Sequence, residues 1–319
     1  MKKNKTWQVS LVIACLMLFL AACAQPTAQT LARPTIKIGY LPITHAGPLY
    51  LDAHMHQGQF ENYNIEMIKF NSWPDLMDAL NTGRIDGASV LIQLAMKAVE
   101  KGIDLKAVAL GHKDGNVLIS AKEIDDVKDL KNKTFAIPHK FSTHNQLLYE
   151  TLKKEGLTYE DVNVVEMSPA EMPAALAGNR IAGYIVAEPF GAQAVALDKG
   201  HVLQHADEIW PDSYCCVLVL RGDFIQRNQN VVQSMVDQYL KSGELANSKD
   251  PALYESFNQF MKTDKEVLDL SLEWISFADL RIEKEEYDKL RNLILEMELM
   301  ENPPLYEEFV DNTFMDKAM

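Results

Sequence analysis

One twelve-residue segment of this chain is written twice. Residues 79–90 read Ala-Leu-Asn-Thr-Gly-Arg-Ile-Asp-Gly-Ala-Ser-Val, and residues 175–186 read Ala-Leu-Ala-Gly-Asn-Arg-Ile-Ala-Gly-Tyr-Ile-Val. At this fixed offset of 96 the Ala, Leu, Arg, Ile, Gly and Val positions are identical. Each copy reads as the end of an amphipathic helix, a turn and a short strand. The spacing is too long for a solenoid repeat. It predicts two similar α/β lobes, with a cleft between them where a small molecule binds. The alternative is chance convergence of helix–turn–strand units on Ala-Leu and Ile-x-Gly.

The first 22 residues read as a targeting segment. Lys2, Lys3 and Lys5 precede an apolar run from Val9 to Leu20, which is shorter than the roughly 20 residues a spanning helix needs. The run ends in Leu20-Ala21-Ala22-Cys23, which resembles the lipobox of bacterial lipoproteins. That resemblance implies cleavage before Cys23 and acylation of its thiol, a palmitate-type anchor whose paired chains hold a protein stably at a membrane. An ordinary secretory signal cut near Ala24 is the alternative. Residues 24–34, rich in Ala, Gln, Thr and Pro, read as a tether.

Removing the signal leaves 297 of the 319 residues, enough for two domains. It also removes three lysines and no acid, so the formal net charge moves from −14 to −17. With no basic cluster, nucleic acid is not an expected partner. Acidic residues gather near the C-terminus, among them Glu283, Glu285, Glu286, Glu307 and Glu308, and read as a solvated helical face. Beyond Cys15 and Cys23 only the adjacent Cys215 and Cys216 remain. Side chains alternate along a strand, so these two read as small strand residues rather than a disulfide, redox centre or metal site.

Strands are expected at 35–40, 65–70, 85–90, 105–110, 116–121, 133–137, 162–166, 181–186, 202–205 and 215–220, alternating with helices. That alternation predicts a largely parallel sheet in each lobe. Ser72 and Pro74 should open a helix, and Ser168-Pro169-Ala170-Glu171 fits a capping box. The expected organisation is a signal peptide at 1–22, a lipidated tether at 23–34, lobe I at 35–115, lobe II at 116–214, and a return to lobe I with C-terminal helices at 215–319. From 223 onward the pattern is helical, with Asn302-Pro303-Pro304 as its one clear break.

Ligands of open parallel sheets sit outside the carboxyl ends of the strands. Polar or small residues at such ends are Thr44, His45, Trp73, Ser89, Asn116, Ser142, Thr143, His144 and Glu188. Each has a plainer reading. Trp73 can pack between helix and sheet, His144 can cap a helix, and Glu188-Pro189 can shape a loop. His112 is a weaker candidate. His54 with His56, and His201 with His205, lack an evident third ligand, so no metal is expected.

The segments Gly39-Tyr40-Leu41-Pro42-Ile43-Thr44, Asn71-Ser72-Trp73, Gly83-Arg84-Ile85-Asp86-Gly87-Ala88, Ser142-Thr143-His144-Asn145 and Ala187-Glu188-Pro189-Phe190 resemble one family in its order. It is the nitrate/sulfonate/taurine/bicarbonate-type substrate-binding proteins of ABC importers, related to the thiamine-pyrimidine-synthesis family. The resemblance covers about residues 35–225. It implies a bilobal periplasmic-binding-protein-like (type II) fold, no enzymatic activity and no cofactor. It also implies a small-molecule ligand, docking to a permease with its ATPase, and a monomer facing the extracytoplasmic side. In nitrate-binding members a Trp and a His at the positions of Trp73 and His144 contact the anion, and a Gln stands near the position of Asn116. Those members also use a Lys near the position of Cys215 or Cys216, where this chain has none. The other reading is a pyrimidine-precursor-binding protein, or a pyrimidine-synthesis-type enzyme, of the same fold.

Overall fold

The computed structural model describes residues 33–318; the signal segment, Cys23 and most of the tether lie outside the described residues. Twelve strands form: β1 Thr35–Tyr40, β2 Asn64–Lys69, β3 Gly87–Leu91, β4 Leu105–Leu110, β5 Lys113–Asp114, β6 Asn116–Ser120, β7 Thr134–Ile137, β8 Asn163–Glu166, β9 Gly183–Ala187, β10 His201–His205, β11 Cys216–Arg221 and β12 Ile275–Ser276. The helices of the first two-thirds are α1 Gly47–Met55, α2 Trp73–Asn81, α3 Ile92–Glu100, α4 Thr143–Lys154, α5 Met172–Ala177, α6 Phe190–Ala196 and α7 Ala206–Ile209. The rest of the chain adds α8 Gly222–Arg227, α9 Gln229–Asn247, α10 Pro251–Phe260, α11 Lys265–Glu273, α12 Lys284–Glu296, α13 Tyr306–Phe309 and α14 Thr313–Ala318.

Two five-stranded sheets carry the architecture. Their orders are β2-β1-β3-β11-β4 and β8-β7-β9-β6-β10. In the first, β2, β1 and β3 pair in parallel and β11 runs antiparallel to β3 and β4. In the second, β8, β7 and β9 pair in parallel and β6 runs antiparallel to β9 and β10. Four strands of each sheet therefore point one way, and the fourth position is reversed. The reversed strand is in each case the one by which the chain enters from the other sheet: β6 follows β4 of the first, and β11 follows β10 of the second.

The sequence echo falls on equivalent places. The first copy is the end of α2 with β3, the second the end of α5 with β9, and β3 and β9 hold the third position of their sheets. The shared glycine has a steric cause. A Cβ on Gly87 would stand 2.5 Å from the Val219 carbonyl oxygen, and one on Gly183 would stand 2.6 Å from that of Ile119. Both carbonyls belong to the reversed neighbour, which comes too close for any side chain there.

Local chemistry sets several boundaries. Ser72 caps α2 by accepting the Asp75 N–H at 3.3 Å, with Pro74 in the first turn, and Gly83 follows the helix at φ +73°. The expected capping box at Ser168 does not form. Pro169–Glu171 is a 3-10 turn, α5 begins only at Met172, and the Ser168 hydroxyl donates to the Asn71 carbonyl at 3.4 Å. Beyond residue 223 the helical region is broken more often than expected: residues 274–283 leave the helix, and β12 pairs antiparallel with β5.

One core runs beneath both sheets, and a smaller cluster of Tyr40, Tyr50, Leu253, Phe257 and Phe277 packs α9–α11 against α1. The C-terminal region also reaches the second sheet's helices, because α11 packs on α6. Among the described residues no helix is long and apolar enough to cross a membrane.

Candidate functional site

Both passages of the chain between the sheets end in polar residues, and these meet. Six strand termini converge there. The ends of β1, β4, β7 and β9 supply Thr44 and His45, His112, Ser142 to His144, and Glu188 respectively. The starts of the reversed strands β6 and β11 supply Asn116 and Cys216, which lie in register with Ala187 and Leu91 at the carboxyl ends of β9 and β3. This is the edge where a switch in strand direction opens room for a ligand.

The residues are closed off from solvent. Thr44, His45, His112, Ser142, Thr143, Glu188, Cys215 and Cys216 are fully buried, and Asn116 and His144 are 1% exposed. Among the described residues, no Lys or Arg is in the buried polar set. The His45 and His112 rings stand 3.6 Å apart, and the His144 ring lies parallel to His45, within 2°, at 6.4 Å. His45 Nε2 is 3.2 Å from the Gly115 carbonyl, and its Nδ1 is 3.5 Å from Cys216 Sγ. The Cys216 N–H donates to His112 Nε2 at 3.4 Å.

Hydrogen bonds at this edge tie the elements of one sheet to the other. Thr44 donates to the Glu188 carbonyl from its backbone N–H at 2.8 Å. Gln93 of α3 donates to Thr143 Oγ1 at 2.7 Å and Gln146 Oε1 at 2.6 Å, on α4. Ser142 caps α4 by accepting the Asn145 N–H at 3.1 Å. Thr143 donates to the Tyr214 carbonyl. The Glu188 carboxylate accepts from Ala192 N–H at 3.0 Å and from Ser271 of α11 at 2.8 Å.

What stands out is what these groups do not do. Both ring nitrogens of His144, both amide atoms of Asn116, His112 Nδ1, Ser213 Oγ and Glu188 Oε1 are buried without a partner. A folded protein leaves few buried polar atoms unpaired, because each forfeits about 1–3 kcal/mol.

Burial controls the charges. It drives His45 down to about 4, with His112 adding to the effect, and it also lowers His144. Both imidazoles are therefore neutral at pH 7. Burial pushes Glu188 up to about 7 against its hydrogen bonds from Ala192 and Ser271. For Cys215, burial acts upward, but the hydrogen bond from Cys216, the flanking His144 and His45, and the bond from His112 outweigh it and hold the thiol well below its usual value. Cys216 is raised well above its own by burial and by Cys215.

Trp73 and Ser89 take other places. Trp73, at the start of α2, lines a cavity of about 210 Å³ with Lys97, Lys101, His139 and Phe141 among others, and its Nε1 has no partner. Ser89 is inside β3, opposite Leu218.

Sequence reasoning undervalued His112, Cys215 and Cys216. One ligand-type atom from each of these and from His45 lies within 4.8 Å of all the others. The expectation that alternation would separate the thiols fails because β11 begins at Cys216. Cys215 precedes the strand and is free of its pleat. The one available clue was that both cysteines follow directly on the passage 206–214. Gln93, inside a helix, gave none.

A model of the NMT1-like family matches residues 29–256. The chain belongs to the NMT1-like family. Another protein with this architecture is the ligand-binding component of an ABC-type import system from Staphylococcus aureus, solved with zinc bound. It is 44% identical, covers 90% of this chain and 99% of its own, and superposes with a TM-score of 0.85. The nitrate/nitrite binding protein NrtA of Nostoc sp. is 27% identical over 232 residues, 65% of this chain and 52% of that protein. The chain thus spans about half the length of that curated relative, and 36% of the nitrate import ATP-binding protein NrtC of Synechocystis sp.. The periplasmic nitrate-binding protein NrtA from Synechocystis PCC 6803 is 16% identical, with 90% and 88% coverage and a TM-score of 0.81. The NMT1-like chain thus has the α/β fold of the periplasmic binding proteins, as the resemblance implied.

Proposed function

We propose that this chain is the solute-binding component of an ABC importer. It is no enzyme: it captures a small solute between two sheet-bearing lobes, residues 35–115 with the return from 215, and residues 116–214. It then delivers the solute to a membrane permease driven by an ATPase. The chain works as a monomer on the extracytoplasmic side, held there by acylated Cys23. The nitrate-binding relative and the import component support this reading, as does an Escherichia coli protein named for binding aliphatic sulfonates, 25% identical over 178 residues.

The observation that carries it is the set of unpaired buried atoms of His144, Asn116 and Glu188 at the strand ends. A solute that fills those hydrogen bonds binds the closed arrangement more tightly than an open one and so shifts the population toward closure. Relatives are named for nitrate, for sulfonates and for bound zinc, so the solute screen should span anions and metal ions.

A second solute class is favoured by one distance. The parallel His45 and His144 rings lie 6.4 Å apart. That is slightly less than twice the contact distance of about 3.5 Å between carbon atoms. A flat heterocycle, such as a pyrimidine precursor, that stacked on both would have to part the rings by about 0.6 Å.

The test is a thermal-shift panel of oxyanions, alkanesulfonates, pyrimidines and divalent metals on the purified protein. A solute at 100 times its dissociation constant adds about 2.7 kcal/mol, which raises the melting point by about 4 °C. A panel in which no class shifts the melting point contradicts the proposal.

A further inference from the structure

We infer that His45, His112, Cys215 and Cys216 form a tetrahedral binding site for a thiophilic d10 cation, of the Zn²⁺ or Cu⁺ class. The four donors are two imidazoles and two thiols, all fully buried, with their ligand atoms within 4.8 Å of one another. Two sulfurs with two nitrogens is the donor set such ions select, and a full set of four leaves no open position.

The distances fit. Bonds of about 2.3 Å to sulfur and about 2.05 Å to nitrogen at a tetrahedral angle place S and N about 3.6 Å apart. Cys216 Sγ and His45 Nδ1 are 3.5 Å apart. The widest pair must close by about 1 Å to reach bonding distance, a movement that side-chain rotation supplies.

The second contact of His45 also fits. His45 Nε2–H donates to the Gly115 carbonyl at 3.2 Å, which leaves the lone pair on Nδ1, the nitrogen that faces the thiol. A ligating histidine fixed through its other nitrogen by a backbone carbonyl is the usual arrangement around a metal. His112 accepts the Cys216 N–H on Nε2 at 3.4 Å, so it becomes a ligand by releasing that bond or by moving its proton off the unpartnered Nδ1. Adjacent thiols converge here because Cys215 stands just outside β11 and Cys216 is its first residue.

The four ligands come from three places in the chain: the turn after β1, the passage after β4, and the two adjacent residues where the chain returns to the first sheet. A cation there fastens the first passage to the return strand. That it is also the transported solute rests on the importer reading; the site itself does not.

The experiment uses the purified, reduced and metal-stripped protein, titrated with Co²⁺ and with Zn²⁺ alone. Co²⁺ should bind one per chain. It should give the near-ultraviolet thiolate-to-metal charge-transfer band and the intense visible bands of a tetrahedral sulfur-ligated ion, and Zn²⁺ should displace it. Removing a partner beyond the ligand shell already costs 10–100-fold, so Cys215→Ser and Cys216→Ser should each weaken Zn²⁺ binding by about 100-fold or more. His54→Ala, remote from the cluster, should leave it within about twofold. Circular dichroism melting confirms that the serine variants, which change one atom each, are folded. Absence of stoichiometric Co²⁺ binding, or binding that both serine variants retain, overturns the site while leaving the anion and heterocycle arms of the importer test intact. Zn²⁺ bound at this site with no effect on scattering overturns its role as the solute.

Discussion

Thr44 gives both of its donors to one acceptor, the main-chain carbonyl of Glu188, from its N–H at 2.8 Å and from its hydroxyl at 3.2 Å. Thr44 follows β1 of one sheet, and Glu188 follows β9 of the other. The pair therefore joins the two carboxyl edges beside the histidine cluster.

Thr44→Val keeps the side-chain shape and the backbone bond and removes only the hydroxyl donor. A buried hydrogen bond contributes about 1 kcal/mol, so closure and the affinity for solute should weaken about fivefold. Isothermal titration with the best solute of the panel reads this directly. An affinity unchanged within error would show that the link takes no part in closure.

Gly87 and Gly183 are predicted to respond alike. Gly87→Ala and Gly183→Ala each push a methyl to about 2.5 Å from a carbonyl oxygen of the reversed strand, Val219 or Ile119. Overpacking of this kind costs about 1–3 kcal/mol. Gly102, at φ +87° with open space around it, should lose only about 1 kcal/mol as alanine. Urea denaturation distinguishes them: equal losses at all three positions would remove the steric account of the repeat.

Asp52 sets a pH dependence of known sign. Burial raises its carboxyl to about 7, from an ordinary 3.8, against the Ser242 bond. The folded state then holds more protons than the unfolded state between those values, so stability falls as pH rises from about 4 through about 7. The full span is on the order of 4 kcal/mol, reduced where His56, 3.4 Å away, carries charge. Glu188 acts in the same direction, whereas His45, lowered to about 4, loses stability as pH falls through the interval below 6.5. Asp52→Asn isolates the aspartate. Its melting point should vary less between pH 5 and pH 8 than the unsubstituted protein's; parallel profiles would contradict the assignment.

His144 has both nitrogens unpaired and a pKa lowered by burial. His144→Ala should weaken the best solute at least about tenfold; it gives up no hydrogen bond, so the solute-free melting point falls only by the packing of one buried ring. With a neutral ring, affinity should not tighten as pH drops to 6.5. A solute bound equally well by the variant would remove His144 from the site.

How much of this could be read from residues alone follows from the range of each interaction. The strands Thr35–Tyr40 and Leu105–Leu110 are local alternations and stand where the pattern placed them. Ser72, a cap acting over three residues, was equally legible. The repeat was visible because the same close carbonyl excludes a side chain at Gly87 and at Gly183. The Ser168 cap was misread, since the following turn tightens to a 3-10 form before the helix starts. Gln93 meeting Thr143 and Gln146 was invisible, being fifty residues distant and carrying no local pattern. The meeting of His112 with Cys215 and Cys216 depends on two passages of the chain crossing at one edge. Alternation along a strand says nothing about the residue just before it.

The claim on which the rest depends is that a solute is taken up at the buried strand ends by closure of two sheets. Small-angle X-ray scattering of the protein with and without a saturating solute from the panel measures this most directly. The account predicts a smaller radius of gyration in the bound state than in the stripped one. Superimposable curves, with the solute demonstrably bound one per chain, would contradict it.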